Sequence, residues 1–190
     1  MAQKILLHIC CAPCTIYPLG ILREEGHDVC GHFYNPNIHP SSEYKRRLDT
    51  LNAYAGQEKL RVIREDAYSL AEFLRQVAFR EDDRCRHCYR LRLARTAEIA
   101  KNGRFDAFTT TLLYSRFQKH DLIRSFGDTV AGMQGIPFLY WDFREGWSEG
   151  VRISKKLGMY RQRYCGCIYS EKDHFYRTPR DNHSGDYLTV

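Results

Sequence analysis

The chain has 190 residues and a formal net charge of +6, and 43% of its residues are hydrophobic. This length predicts a domain that buries roughly 70% of the surface its unfolded chain exposes, and no stretch approaches the ~20 apolar residues of a membrane span. The apolar run at the amino terminus is shorter than the apolar region of a signal peptide, so we expect a cytoplasmic protein with no membrane partner.

Predicted strands and helices alternate along the chain. In chain order we expect a strand at 4–9, a helix at 15–27, a strand at 28–34, a helix at 41–57, a strand at 60–65, helices at 69–79 and 88–103, a strand at 106–113, a helix at 118–135 and a strand at 137–143. This alternation predicts an α/β fold with a Rossmann-like parallel sheet that has helices on both faces. We assign residues 1–177 to a single domain and the polar, turn-rich residues 178–190 to a flexible tail.

Polar and sulfur-bearing residues follow the predicted strands, where such sheets bind ligands. Cys10 and Cys11 follow the first strand, and the threonines at 109–111 lie in the fourth. Threonine hydroxyls suit a phosphate or a ribose, but β-branched residues also simply fill strands. Asp142, near the end of the fifth strand, is a candidate acid/base group, with pairing to a neighbouring arginine as the alternative.

Seven of the eight cysteines fall into three tight clusters. The clusters are Cys10-Cys11-x-x-Cys14, Cys85-x-x-Cys88 and Cys165-Gly166-Cys167. A C-x-x-C pair chelates a metal because its thiolates converge across a turn, although a redox dithiol has the same spacing. Three clusters favour a metal or iron–sulfur site over dithiol chemistry or packing, and we expect loops at the carboxyl ends of the strands to bring them together. Ligation by thiolates alone, with cysteines to spare, favours an iron–sulfur cluster over structural zinc.

Other candidate residues near these clusters have simpler interpretations. Cys30 stands alone in a strand and is expected to be a buried apolar residue. His8 is expected to be a core histidine with hydrogen-bond partners, and His87 a loop residue that faces solvent.

Arginines bracket the second and third cysteine clusters. They are Arg84, Arg86, Arg90, Arg92, Arg161 and Arg163. Such arginines offset the charge of a thiolate centre or bind an RNA backbone, and the sequence does not separate these uses. The Walker loop and the G-x-G-x-x-G pattern are both missing from the sequence, as is a glycine-rich phosphate loop after the first strand, which weakens an ATP-binding interpretation.

Several motifs, in order, resemble those of a known family. They are LLHICCAPC, FYNPNIHPSSEYKRRL, RCRHCYRLRLARTA, FTTTLLYSRFQKHDLI, FLYWDFR and MYRQRYCGCIYS. Together they span residues 5 to about 170 and resemble the cobalamin-independent epoxyqueuosine reductases of the QueH family. The resemblance implies a fold of the adenine-nucleotide α-hydrolase (HUP) type. It also implies the last step of queuosine biosynthesis, in which epoxyqueuosine at the wobble position of tRNA is reduced to queuosine.

The resemblance also implies cofactors and site residues. A [4Fe-4S] cluster with a nearby iron or zinc ion is implied, with no cobalamin and with an external electron donor. The matching ligand positions are Cys10, Cys11, Cys85 and Cys88, and Cys14 contributes to the metal site. Cys165 and Cys167 are implied as further ligands or as a redox pair, and we add Asp142 as a candidate proton donor.

Two other functions fit the same chain. An ATP-dependent tRNA sulfurtransferase would share this fold, but the missing phosphate loop argues against it. A zinc-stabilised RNA-binding module would use the same cysteines without catalysis.

Overall fold

The computed structural model describes residues 2–65 and 68–176, and these form a four-stranded sheet with surrounding helices. The strands are β1 (Lys4–His8), β2 (Asp28–Phe33), β3 (Val62–Arg64) and β4 (Ala107–Thr110). The α-helices are α1 (Ala12–Glu24), α2 (Ser41–Gln57), α3 (Leu70–Val77), α4 (Arg84–Asn102), α5 (His120–Gln134), α6 (Trp147–Lys156) and α7 (Ile168–Phe175). Short 3-10 helices cover Glu81–Asp83, Thr111–Tyr114 and Phe143–Gly146.

The central strand of the sheet is β1. The strand order is β3-β2-β1-β4, and Leu6 of β1 lies opposite Cys30 on one side and Phe108 on the other, always in parallel pairing. Apolar residues fill β1 from Ile5 to Leu7 because a parallel strand between two helical layers is buried on both faces. The chain leaves β1 for β2 in one direction and later returns to β4 on its other side. The topological switch point, where such folds bind ligands, therefore lies between the carboxyl ends of β1 and β4.

The helices form two layers. Right-handed crossovers place α1 and α2 on one face of the sheet and α4 on the other. Consistently, α1 packs against α2 and α6, while α4 packs against α5. The predicted α/β class, with a parallel sheet and helices on both faces, is confirmed, while the HUP assignment stays a prediction.

Two helices begin earlier than the sequence predicts, and this moves cysteines out of loops. Helix α1 begins at Ala12, so Cys14 lies in its first turn and Pro18 lies inside the helix. Helix α4 begins at Arg84, directly after the acidic 3-10 turn Glu81–Asp83, which favours a helix amino terminus. Cys85 and Cys88 therefore lie on one helical turn, and the expectation that loops carry all three clusters is wrong for these residues.

The predicted strand at 137–143 is also wrong. Phe138 forms an isolated parallel bridge with Phe108, and the chain then leaves the sheet. The side chain of Asp142 accepts a hydrogen bond from the Arg144 amide and thereby starts the 3-10 helix that leads into α6. The sequence did not predict α6 or α7.

Among the described residues, no helix combines the length and apolar character that a bilayer crossing needs. The predicted boundary after residue 177 and the tail at 178–190 lie outside the described residues.

Candidate metal centre

Three buried thiols meet at the switch point of the sheet. Cys10 and Cys11 follow β1, Cys14 lies in the first turn of α1, and their Sγ atoms all lie within 4.8 Å of one another. All three residues are buried. Thr111, just beyond β4, accepts a hydrogen bond from the Cys10 amide at 3.1 Å and donates one to Cys10 Sγ at 3.3 Å. This arrangement, which we call the cysteine triad, can bind a metal ion or a metal cluster.

The protonation of the triad is unequal. Hydrogen bonds from the Cys11 and Cys14 thiols hold the pKa of Cys10 well below its ordinary value. Burial raises the pKa of Cys11 to about 12, and the bonds to Cys10 and Cys11 raise the pKa of Cys14. At neutral pH Cys11 and Cys14 therefore keep their protons, and a metal that binds all three thiols must displace at least these two protons.

The other clustered cysteines gather close to one another. Cys88 and Cys167 lie in a small apolar cluster with Phe73 and Val77 of α3. Burial raises the pKa of Cys88 to about 12, and the charges of Cys165, Cys167 and Cys85 act in the same direction. Their Sγ atoms are not part of the triad's close-packed group in the described residues. The structure thus brings Cys85, Cys88, Cys165 and Cys167 into one neighbourhood.

A buried arginine links the two groups of thiols. Arg92 of α4 is 3% exposed, and its guanidinium donates to the carbonyl oxygen of Cys88 and to Asn35 Oδ1, each at 3.4 Å. No carboxylate pairs with Arg92 in the part of the chain that the structure describes. Burial lowers the pKa of Arg92, but the thiolate charges of Cys88 and Cys10 outweigh it and raise the pKa overall. Because Cys88 keeps its proton at neutral pH, this guanidinium lacks a full counter-charge until the thiols of the site ionise.

The triad opens into a pocket. Its walls include Cys10, Cys14, Arg47, Tyr114, Gln162 and Cys165. The amide of Gln162 donates to Cys11 Sγ at 2.9 Å, and Arg47 is buried beside the pocket. The roles of Arg47, Tyr114 and Gln162 were not predicted from the sequence, although each lies in a stretch of basic and aromatic residues.

Buried polar atoms without partners lie near these cysteines. Within the described residues, both ring nitrogens of His39 and Nε2 of His87 have no hydrogen-bond partner. The His39 amide donates to the Gly166 carbonyl at 2.7 Å, and the His87 ring lies 6.2 Å from the Phe73 ring. Such atoms are costly unless a further polar group satisfies them. Together with the thiols and Arg92, they fit a charged metal group at this place.

The comparisons with known proteins agree with this geometry. Residues 5–173 match the model of the family described as epoxyqueuosine reductase QueH. The chain belongs to this family. Relatives with that same name are 39% identical in Dehalococcoides mccartyi (92% of this chain and 96% of the relative), 37% in Thermotoga maritima (87% and 89%) and 34% in Streptococcus pyogenes (89% and 71%). The QueH family catalyses the last step of queuosine biosynthesis, so membership favours a reductase over a sulfurtransferase or a zinc-stabilised RNA-binding module.

Three other residues of this QueH-family chain were singled out from the sequence. His8 lies between Thr110 Oγ1 at 2.9 Å and the Tyr34 carbonyl at 3.2 Å, which confirms a core histidine with partners. Burial lowers the pKa of His8 to about 3. Cys30 is buried in β2, as predicted. The expectation that His87 is a solvent-facing loop residue is wrong, because it lies in α4 and its Nε2 atom is buried.

Asp142 has a partner that competes with a catalytic role. Arg144 donates to both carboxylate oxygens, at 2.8 Å and 2.5 Å, and the side chain is 42% exposed. The hydrogen bond from Arg144 lowers the pKa of Asp142 to about 2. The carboxylate is therefore ionised at neutral pH, which disfavours a role as general acid and favours the alternative of arginine pairing. Its catalytic role stays a prediction.

Metal binding to the triad should depend steeply on pH. Because Cys11 and Cys14 have raised pKa values, both must lose protons when a metal binds, so affinity should rise with pH. For two protons released, we expect affinity for Zn²⁺ to fall by up to ~100-fold when the pH falls from 8 to 7. Competition with a chromophoric chelator measures this in the metal-free protein.

The control is Cys30→Ala, which removes a buried thiol of β2 and should leave this slope unchanged. Cys11→Ala should reduce it. An affinity that stays constant between pH 6 and pH 8 would contradict a protonated triad.

Proposed function

We propose that this chain reduces epoxyqueuosine at the wobble position of tRNA to queuosine, using an iron–sulfur cluster, in the cytoplasm. The observation that carries the proposal is the triad of buried thiols below an open pocket. Family membership supplies the substrate, because the relatives are named for epoxyqueuosine reduction.

We assign the ligands of a [4Fe-4S] cluster to Cys10, Cys11, Cys85 and Cys88, and place Cys14 at an additional iron or zinc ion. Thiolates are the ligands that such clusters use, and these cysteines are supplied from the end of β1 and the start of α4. Arg92 supports the assignment because its charge acts on both Cys10 and Cys88, one from each segment. A negatively charged centre between these segments would supply the counter-charge that Arg92 lacks.

The reaction removes the epoxide oxygen as water, and it requires two electrons and two protons. When bound, the cluster supplies the electrons one at a time from an external donor, and the additional ion supplies a Lewis acid for the epoxide oxygen, without cobalamin. The protein's own residues must then bind the nucleoside, exclude water and deliver protons.

We propose Tyr114 as a candidate proton donor of the pocket. Its phenol belongs to the pocket wall and donates to the Trp147 carbonyl at 3.0 Å. Burial, followed by the charges of Cys14 and Cys11, raises the pKa of Tyr114, so the phenol keeps its proton at neutral pH. Asp142 stays a proposed relay group only, because its ionised carboxylate is paired with Arg144 and is a weak base.

Cys165 and Cys167 differ in exposure, and this separates their proposed roles. Cys165 is exposed and belongs to the pocket wall, whereas Cys167 is buried at the start of α7. We propose that Cys165 acts at the pocket, as a further ligand or as the outer thiol of a redox pair with Cys167. The ligand role ranks first, because a disulfide across a single intervening residue is strained.

Exposed cations beside the pocket, which we call its rim (Arg116, Lys119 and Arg163), are consistent with RNA as the partner. Ser115, Phe117 and Gln118 line the pocket, and Arg116 and Lys119 of the same segment are exposed. Arg163, on the segment that carries Gln162, is exposed as well. Within the described residues none of these three cations pairs with a carboxylate, so their charges are available to phosphates.

Turnover of tRNA tests the proposed function. Anaerobically reconstituted protein with a low-potential chemical reductant should convert epoxyqueuosine in tRNA to queuosine, measured by mass spectrometry of the released nucleosides. Cys85→Ala should lose the visible absorbance of the cluster and at least ~100-fold of the activity, because one thiolate ligand is gone. Cys30→Ala should keep both.

Two results would contradict the proposal. One is fully loaded protein that leaves epoxyqueuosine unchanged, and the other is Cys85→Ala with full absorbance and activity. ATP-dependent thiolation of tRNA, or zinc as the sole bound metal, would point to one of the two alternative functions.

Charge removal at the rim tests the RNA interface. The double variant Arg116→Ala/Lys119→Ala should weaken tRNA binding and lower the slope of log K against log salt by about 1.5, as expected for two lost phosphate contacts. The matched control Arg61→Ala/Lys101→Ala removes the same charge from the opposite edge of the sheet. Equal losses in the two double variants would place the RNA elsewhere.

A further inference from the structure

The segment that carries Cys165 passes beside the triad without forming a helix or strand. We call residues 160–167 the cysteine strap. Gln162 of the strap donates to Cys11 Sγ at 2.9 Å, and the Gly166 carbonyl accepts a hydrogen bond from the His39 amide at 2.7 Å. The Tyr164 hydroxyl donates to the His39 carbonyl. The strap is thus held by single hydrogen bonds at several points along its length.

One buried side chain makes two further bonds to the strap. Arg47 of α2 is 1% exposed, and its Nη1 donates to the Cys165 carbonyl at 3.1 Å while Nη2 donates to the Tyr164 carbonyl at 2.9 Å. Nε donates to Glu43 Oε1 at 2.6 Å, and the other carboxylate oxygen of Glu43 accepts a bond from the Tyr160 hydroxyl. The Arg47–Glu43 pair therefore holds both ends of the strap, at Tyr160 and at Cys165.

We propose that Arg47 is a positioning residue that fixes the cysteine strap and so holds Cys165 in the pocket wall. This inference rests on the proposed function for its catalytic consequence. The hydrogen bonds from Arg47 to the strap, which we call the clamp, are independent of that function. The planar guanidinium presents donors in a fixed fork and satisfies two carbonyls and one carboxylate at once. A lysine at this position has one ammonium nitrogen and cannot reach all three acceptors in the same geometry.

The backbone around Gly166 leaves little room for another arrangement. Gly166 has φ +111°, a conformation that side chains other than hydrogen rarely adopt. A Cβ atom there would lie 2.8 Å from Ile38 Cγ1 and 3.1 Å from Arg47 Nη1. The glycine thus lets the strap pack directly against the guanidinium, and the clamp depends on both residues.

The position of Arg47 relates the clamp to the chemistry. Arg47 belongs to the pocket wall together with Cys10, Cys14 and Cys165, and its charge acts on Cys11. Loss of its two bonds to the strap would free Cys165 to leave the pocket wall while α2 keeps its helical bonds. Substrate binding at Arg116 and Lys119, which lie outside the strap, would remain, and the reacting groups would lose their alignment.

Arg47→Lys and Arg47→Met test the clamp, with Arg23→Met as the matched control. Arg23 also bonds a carboxylate and a backbone carbonyl, both of Glu58, but it lies at the surface of α1. Hydrogen exchange measured by mass spectrometry should be ~10–100-fold faster over the strap in both Arg47 variants, because charge-assisted bonds are lost, and unchanged in β1. On epoxyqueuosine-containing tRNA, we expect kcat to fall ~10–100-fold and KM to stay within ~threefold.

Gly166→Ala provides a second variant should Arg47→Met fail to fold. It keeps the arginine but forces the strap away from it, and it should reproduce the faster strap exchange and the loss of kcat. Arg23→Met should match wild type in strap exchange and kcat.

Three results would overturn the proposal. They are strap exchange unchanged in Arg47→Lys and Gly166→Ala, full rescue of kcat by Arg47→Lys, and a loss confined to KM. If wild-type protein does not turn over the tRNA, the proposed function fails, and strap exchange alone still decides whether Arg47 holds the strap.

Discussion

The centre of this protein depends on the balance of buried charge between arginine and sulfur. A guanidinium taken out of water costs several kcal/mol unless anions and hydrogen bonds replace its hydration. Arg92 is buried with two neutral carbonyl oxygens as its hydrogen-bond partners, and the charges that Cys88 and Cys10 carry when ionised would raise its pKa. Most of the thiols have raised pKa values, because burial disfavours their charged form. Burial therefore disfavours both the guanidinium charge and the thiolate charges when either is present without the other. A bound metal resolves both problems, because it deprotonates the thiols and makes the site negatively charged.

The fold places these groups by simple topology. β1 and β4 are neighbours, yet the chain leaves β1 by a crossover on one face and reaches β4 by a crossover on the other, so the carboxyl end of β1 opens into a crevice. In many sheets of this kind, a glycine-rich turn at that place binds phosphate with backbone amides. Here the same turn carries Cys10 and Cys11, and the first turns of α1 and α4 add further cysteines. The same sheet architecture thus carries thiols that can bind metal at the edge where related sheets bind an anion.

Much of this could be predicted from the sequence. The alternation of strands and helices predicted the parallel sheet, and the spacing of the cysteines predicted a metal site at its carboxyl edge. The prediction of a strand at 137–143 was wrong because an apolar run does not indicate where strand pairing stops. The chain pairs with β4 in a single bridge, and Asp142 then caps a 3-10 helix. The contacts of Arg47 and Gln162 could not be predicted from the sequence. They join residues 118 and 151 positions apart and arise from tertiary packing. The sequence showed that both residues lie among basic and aromatic residues, but it did not show where their side chains point.

Anomalous X-ray scattering at the iron edge tests the central claim most directly. Crystals of protein reconstituted anaerobically with iron and sulfide should show a strong iron peak within bonding distance of the triad thiols, with the Arg92 guanidinium close to its sulfur ligands. Iron bound elsewhere in the molecule, with the thiols of Cys10, Cys11 and Cys14 free, would contradict the account.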